Sequence, residues 1–266
     1  MKKFLLLISA SILSWSCTED ISKDIATDLS QEANQFFRFS EALNESSYLG
    51  NISLTEYFRT FPEELPGCPE IILSPGSRII ELNYSNAQEC QQPNKTLRKG
   101  KIILDFTLSN TSNPSWSMTY EKYFFGKTLI DGVRYFVNPS FNENKETFEN
   151  LQVELEKNLG FVASGSFSYS VARLGSRPFA LSTRGRIEGI NPAGRDFSLV
   201  ITEAKEQSFS CYRDGWELPQ RGKENWIISR SPSSSIDYKV RFEQSINCNP
   251  VVTSTLPDGR SLQLNP

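Results

Sequence analysis

Histidine is missing from all 266 residues of this chain. That removes Ser-His-Asp and Cys-His catalysis, His-ligated zinc or iron, and any imidazole switch near neutral pH. Enzyme chemistry would have to run on carboxylates, lysine or tyrosine. Glycoside hydrolysis needs two acids facing each other across a cleft, about 5–10 Å apart. Glu154 and Glu156 share one polar strand face, as do Asp237 and Glu243 more distantly. Carboxylates of this kind are mostly solvated, so the expectation is an outward face. No glycine-rich phosphate loop, calcium loop or nucleophile elbow occurs. The chain is therefore expected to carry no catalytic residue and no cofactor, and a carboxylate glycan hydrolase ranks third among its functional readings.

Cysteine offers a different chemistry. Setting aside Cys17, four remain: Cys68, Cys90, Cys211 and Cys248. Without histidine or a C-x₂-C spacing they make a poor zinc site, and no metal is expected. An even number suits disulfides in an oxidising compartment. Three pairings are possible. Cys68 with Cys90 and Cys211 with Cys248 are favoured, because each pair brackets a segment that reads as a strand hairpin. Closing loops of that size contributes roughly 3–4 kcal/mol apiece.

Two further groups invite a binding role. Trp116, Met118 and Tyr120, followed by Tyr123, Phe124 and Phe125, form the densest aromatic stretch, and Trp216 and Trp226 flank a loop with Pro219 and Gly222. Exposed, Trp116, Tyr120, Tyr123, Trp216 and Trp226 would make a platform for stacking sugar rings; turned inward they are core, the commoner fate of alternating aromatics in strands. Arg184 and Arg186, with Arg195 across the Gly194 turn, form a basic cluster that either binds anionic glycans or headgroups, or guards a strand against edge pairing. The formal net charge of −3 argues against a nucleic-acid partner.

The elements that must position these residues follow from periodicity. Between 18 and 50, Ile21, Ile25, Leu29, Ala33, Phe36, Phe37 and Leu43 recur at three- and four-residue steps with no Pro or Gly before Gly50, which predicts a tether followed by a helix. Phe61-Pro62 and Leu65-Pro66-Gly67 end that pattern. From Cys68 the period is two. Ile80, Leu82 and Tyr84 share a face, as do Ile102, Leu104, Phe106 and Leu108, then Leu151, Val153 and Leu155, then Phe197, Leu199 and Ile201. The cleanest case sets Ile236, Tyr238, Val240 and Phe242 against Asp237, Lys239, Arg241 and Glu243. These are half-buried antiparallel strands. Turns at Asp131-Gly132, Asn191-Pro192-Ala193-Gly194 and Pro257-Asp258-Gly259 join them. The expected fold is mainly β: an antiparallel meander forming a curled sheet, sandwich or barrel-like domain over 68–266, preceded by a short N-terminal helix within 17–67.

The N-terminus states a destination. Lys2 and Lys3 precede an apolar stretch over 4–13, the design of a secretory signal and too short to span a bilayer comfortably. Ser14-Trp15-Ser16-Cys17 resembles a lipobox of the loosened Bacteroidota kind, with Ser14 where leucine is usual. The resemblance implies cleavage after residue 16 and diacylglycerol on Cys17, with fatty acyl chains of the palmitate type; two or three such chains anchor durably. Thr18-Glu19-Asp20 resembles the acidic signal that sends such lipoproteins to the outer face of the outer membrane, although short acidic runs also serve as plain solvated tether.

Further residues carry a family resemblance: Cys68-Pro69, the Cys90 turn leading to 98–103, the aromatic strand 120–126, Ile187-Glu188-Gly189-Ile190-Asn191, Cys211, Cys248 and Pro257-Asp258-Gly259-Arg260. Over Cys68 to the C-terminus the chain is similar to uncharacterised Bacteroidota lipoproteins, with the match weakest between Asn150 and Arg177. That family has no assigned activity, so the resemblance implies fold and location only. The expected function is a non-enzymatic binding or structural module at the cell surface, with a membrane contact through lipid and a glycan or envelope protein as partner. The alternative is a periplasmic lipid-handling or assembly factor that shelters acyl chains in the concave face of a curled sheet.

Overall fold

The computed structural model describes residues 28–265 save 75, 86–89, 95, 113 and 175–176. The expected signal sequence, the expected lipidation site Cys17 and the expected tether, up to residue 27, lie outside the described residues. Helix α1 (Leu29–Glu45) begins where Asp28, in an extended conformation, accepts hydrogen bonds from the amides of Ser30 (2.9 Å) and Gln31 (3.2 Å). That is an N-cap satisfying two of the first turn's orphan donors. Short helices α2 (Ser47–Gly50) and α3 (Leu54–Tyr57) follow, the latter opened by Ser53 with Glu56 reaching back to its amide (2.8 Å).

Among the described residues, the strands that follow make one 14-stranded antiparallel sheet in nearly sequential order. Its first strands are β1 (Glu70–Ser74), β2 (Ile79–Asn83), β3 (Arg98–Asp105) and β4 (Ser115–Phe125). β5 (Thr128–Asp131) and β6 (Val133–Ser140) then form one interrupted strand between β4 and β7 (Glu143–Leu155). The interruption is Gly132, at φ +125°, where an added Cβ would stand 2.9 Å from Leu151. The register of β7 on β8 (Leu159–Leu174) shifts at the same level, between Phe148 and Leu151. Such bulges increase local twist and let a wide sheet curl. β9 (Arg177–Ile190), β10 (Asp196–Ser208), a one-turn helix α4 (Phe209–Arg213), β11 (Arg221–Ser231), β12 (Ser234–Glu243), β13 (Val251–Thr255) and β14 (Ser261–Gln263) complete it.

The sheet curls around α1. Phe36 packs edge-on against Phe161 of β8 and Phe197 of β10 and stacks on Trp226 of β11, while Phe39 stacks on Phe161 at 4.6 Å. Helix and strands share one hydrophobic core, so the helical segment is the filling of the β domain. The mainly β, curled-sheet expectation with a short N-terminal helix is met. Both disulfides form in the favoured pairing, Cys68–Cys90 across 22 residues and Cys211–Cys248 across 37. One expected core residue departs from its strand: β3 ends at Asp105, and Leu108 is 86 % exposed in the loop beyond.

Candidate binding site

The aromatic platform read from the sequence is mostly interior. Tyr120, Tyr123 and Trp226 are buried because each has a hydrogen-bond partner inside the curl. Tyr120 meets Ser46 at 2.7 Å, Tyr123 donates to Glu45 at 2.9 Å, and Trp226 Nε1 donates to Glu224 at 2.9 Å. An amphipathic ring can sit in a core when its polar tip is satisfied. Trp216, in the connection after α4, is half-buried. Trp116 is 9 % exposed and held by Phe106 and Phe136 against its two faces, with Nε1 donating to the Gly50 carbonyl. It offers an edge, not a stacking face.

The basic cluster is also divided. Arg184 and Arg186 project outward, Arg186 pairing with exposed Glu188. Arg195 turns toward α1, 3.9 Å from Glu32. A carboxylate on the helix outcompetes solvent for it. Glu154 and Glu156 stand on the convex face, Glu156 beside Lys127 at 3.2 Å, and Asp237 and Glu243 are exposed with Glu243 paired to Arg241.

Charged groups inside the curl grip the helix. No basic residue lies in the last turn of α1, whose carbonyls lack intrahelical partners. Arg134 of β6, fully buried, donates to the Leu43 carbonyl (3.2 Å), Ser46 (2.9 Å) and Ser47 (3.1 Å), and forms a two-point pair with Glu146 at 2.7 and 2.8 Å. Tyr212 of α4 donates to the Glu45 carbonyl at 2.6 Å. In the second half of the helix, Lys205 bridges Asn44 (2.7 Å) and Glu224 (2.6 Å), and Ser40 also donates to Glu224. Near the helix start Glu32 accepts from Tyr238 at 2.5 Å and pairs with Arg230. These groups spend their hydrogen-bonding capacity on one another, which is the behaviour of structure.

One buried cluster carries excess negative charge. Arg98 faces two carboxylates, Glu217 in direct contact and Glu45 at 3.6 Å. Burial pushes Glu45 up to about 7, against the pull of Arg98 and the hydrogen bond from Tyr123. A carboxyl raised from its ordinary value stabilises the fold below about pH 4.5, and that contribution is lost as pH climbs through about 7. At 1.36 kcal/mol per unit the loss is about 3 kcal/mol. Urea unfolding at pH 5 and pH 8 should show Glu45→Gln losing less stability than wild type over that interval. Parallel losses in the two proteins would show that Glu45 is ionised throughout.

Among several solvent-open cavities of the described residues, the one that joins aromatic, amide and guanidinium groups lies just past the end of α2. It is a cavity of about 370 Å³ between Asn51, Ser53 and Leu54 on one side and the ends of β3, β4, β6 and β8 on the others. Its apolar wall is Phe106, the Trp116 edge, Leu54 and Phe141, the last 69 % exposed at the β6–β7 turn. Its polar wall is a chain of amides. Asn138 Nδ2 donates to Asn144 Oδ1 (2.7 Å), Asn144 Nδ2 to Asn51 Oδ1 (2.8 Å), and Asn51 Nδ2 to the Ser47 carbonyl (2.8 Å). Asn138 Nδ2 also donates to the Ser140 (2.8 Å) and Glu143 (3.0 Å) carbonyls of the β6–β7 turn, so its amide group is fixed through its nitrogen while its side-chain oxygen accepts from no donor among the described residues. Arg173 lies over Phe141 at 5.4 Å and pairs with Glu56 at 3.0 Å. Arg78, in a left-handed conformation (φ +57°), donates through Nη1 to the Ser109 carbonyl at 2.6 Å.

Of the candidate binding residues read from the sequence, Trp116 belongs to this cavity, beside Phe106, which reads as core. Asn51, Asn138, Asn144, Phe141, Arg78 and Arg173 were not singled out. A phenylalanine in the polar turn Ser140-Phe141-Asn142 was the available signal, since such a residue has no core to enter. Fold and cavity together define a mainly β protein with a helix-filled curled sheet and a small polar-aromatic rim cavity. Compared with known families, curated proteins and solved structures, the chain matches no family model, no curated protein and no solved structure.

Proposed function

We propose that this protein is a lipoprotein anchored through Cys17 to the outer membrane, working at the cell surface as a non-enzymatic module that binds glycan in the rim cavity. The observation that carries this reading is the cavity itself: an aromatic wall, an oriented amide relay and two guanidinium groups, at the end of the long strands away from the start of α1. The β7–β8 turn lies beside the first half of α1, where Gln31, Asn34 and Gln35 share a groove with Leu155–Lys157. Phe141 and Arg173 lie at the opposite ends of those strands, some 40 Å away by strand rise. The stretch from Cys17 to Asp28 spans at most about 40 Å, so a lipid on Cys17 keeps the start of α1 within that reach of the bilayer, with the cavity at the other end of the domain. The two disulfides fit an oxidising compartment. The outward carboxylates favour binding over hydrolysis. The helix filling the concave face favours it over sheltering acyl chains.

Protease treatment of intact cells tests location. Wild-type protein should be digested without lysis, and Cys17→Ser protein should leave the membrane fraction. Protection until the outer membrane is opened would overturn the surface reading and point to a periplasmic role.

A further inference from the structure

Resting on that binding reading, we infer that the rim cavity takes an acidic sugar, a hexuronate residue within a glycan chain, with its carboxylate at Arg78 and a ring hydroxyl at the Asn138 carbonyl. Three observations converge. The residues lining the cavity include two arginines, Arg78 and Arg173, and no aspartate or glutamate, in a protein of net charge −3. Glu56 neutralises Arg173 from the side facing α3, which leaves Arg78 as the cation for a ligand. Its Nη1 is committed to Ser109, and the rest of its guanidinium fork can present paired donors to a carboxylate.

The amide relay supplies the complementary group. Each amide polarises the next, so the Asn138 side-chain oxygen is an acceptor held in place by the bonds that its own Nδ2 donates to Asn144, Ser140 and Glu143. It calls for a ligand that donates, as a hydroxyl does and a fully ionised phosphate or a fatty acid chain does not. The Phe141 side chain and the Trp116 edge supply an apolar surface for the C–H face of a ring. About 370 Å³ is room for one or two sugar units. Anion, hydroxyl donor and apolar ring face together describe a uronic acid.

The test compares trigalacturonic acid with the neutral galactose trimer by calorimetry on the wild-type domain at low salt. The acidic trimer should bind at least ten-fold more tightly. In Arg78→Gln, checked for an unchanged melting temperature, the preference should shrink to within about three-fold. Because Arg78 also fastens the β3–β4 loop, Asn138→Leu serves as a second variant and should weaken both trimers by a similar factor. Equal or tighter binding of the neutral trimer overturns the acidic class while leaving glycan binding intact. Binding of neither overturns the inference and the glycan reading together. Full retention of the preference in Arg78→Gln overturns its assigned role.

Discussion

Arg134→Met is expected to lower the unfolding free energy by about 3–5 kcal/mol, the usual cost of removing one partner from a buried ion pair. Three losses combine. Glu146 loses its cation in the core and keeps Tyr169 as its remaining donor at 2.6 Å, the Leu43 carbonyl is left with Ser47 as its side-chain donor, and Ser46 and Ser47 lose the guanidinium. The loss should be partly reversed in the double variant Arg134→Met with Glu146→Leu, because an apolar pair removes the stranded charge. Urea unfolding followed by tryptophan fluorescence measures both. A single variant within 1 kcal/mol of wild type would mean that solvent reaches Glu146 and that the clamp on the helix end is weak.

Reduction of both disulfides should be comparably severe. Loop closure over 22 and 37 residues corresponds to about 3–4 kcal/mol each, in a class of molecule whose net stability is only about 5–15 kcal/mol. The reduced protein should therefore be at the margin of folding at 37 °C. Cys211→Ala with Cys248→Ala should cost about 0.5 kcal/mol more than Cys68→Ala with Cys90→Ala, following the longer loop. Denaturation midpoints with and without reductant decide it, and an unmoved midpoint would show that the contacts around each bridge suffice. Gln92, which holds Gly67 and Leu65, and Gln220, which donates to the Cys248 carbonyl at 2.7 Å, are the candidates for such support.

Much of the sheet could be read from alternation alone. In β12, Tyr238, Val240 and Phe242 are buried while Asp237, Lys239, Arg241 and Glu243 face water, because a strand with one solvated face imposes a period of two on its sequence. The apolar positions of α1, Ala33, Phe36, Phe37 and Leu43, were legible for the same reason at helical spacing. Its buried polar positions were not. Ser40, Asn44 and Glu45 lie inside because Lys205, Glu224 and Arg98 meet them from distant strands, and nothing local in the sequence announces such a partner. The cavity was illegible for a related reason. Its amides come from the segment after α2, from β6 and from β7, and only the curl of the sheet brings Asn51, Asn144 and Asn138 into line. Tyr120, Tyr123 and Trp226 took the commoner of the two fates that alternation allowed, and what the sequence does not show is the partner, Ser46, Glu45 or Glu224, that satisfies each polar tip.

The enclosure of α1 also determines how the molecule carries a load. A pull on the N-terminal segment enters the fold at Asp28 and runs along a helix of about 25 Å. It meets Glu32 with Arg230 and Tyr238, then Glu224 with Ser40, then Arg134 at the far end, so successive rungs on several strands share the force. Tension loads these rungs side by side, in shear, whereas a tether attached to an edge strand would unzip its ladder one hydrogen bond at a time. The helix thus serves as a spigot in a socket, transmitting any strain applied at Asp28 to the body of the sheet.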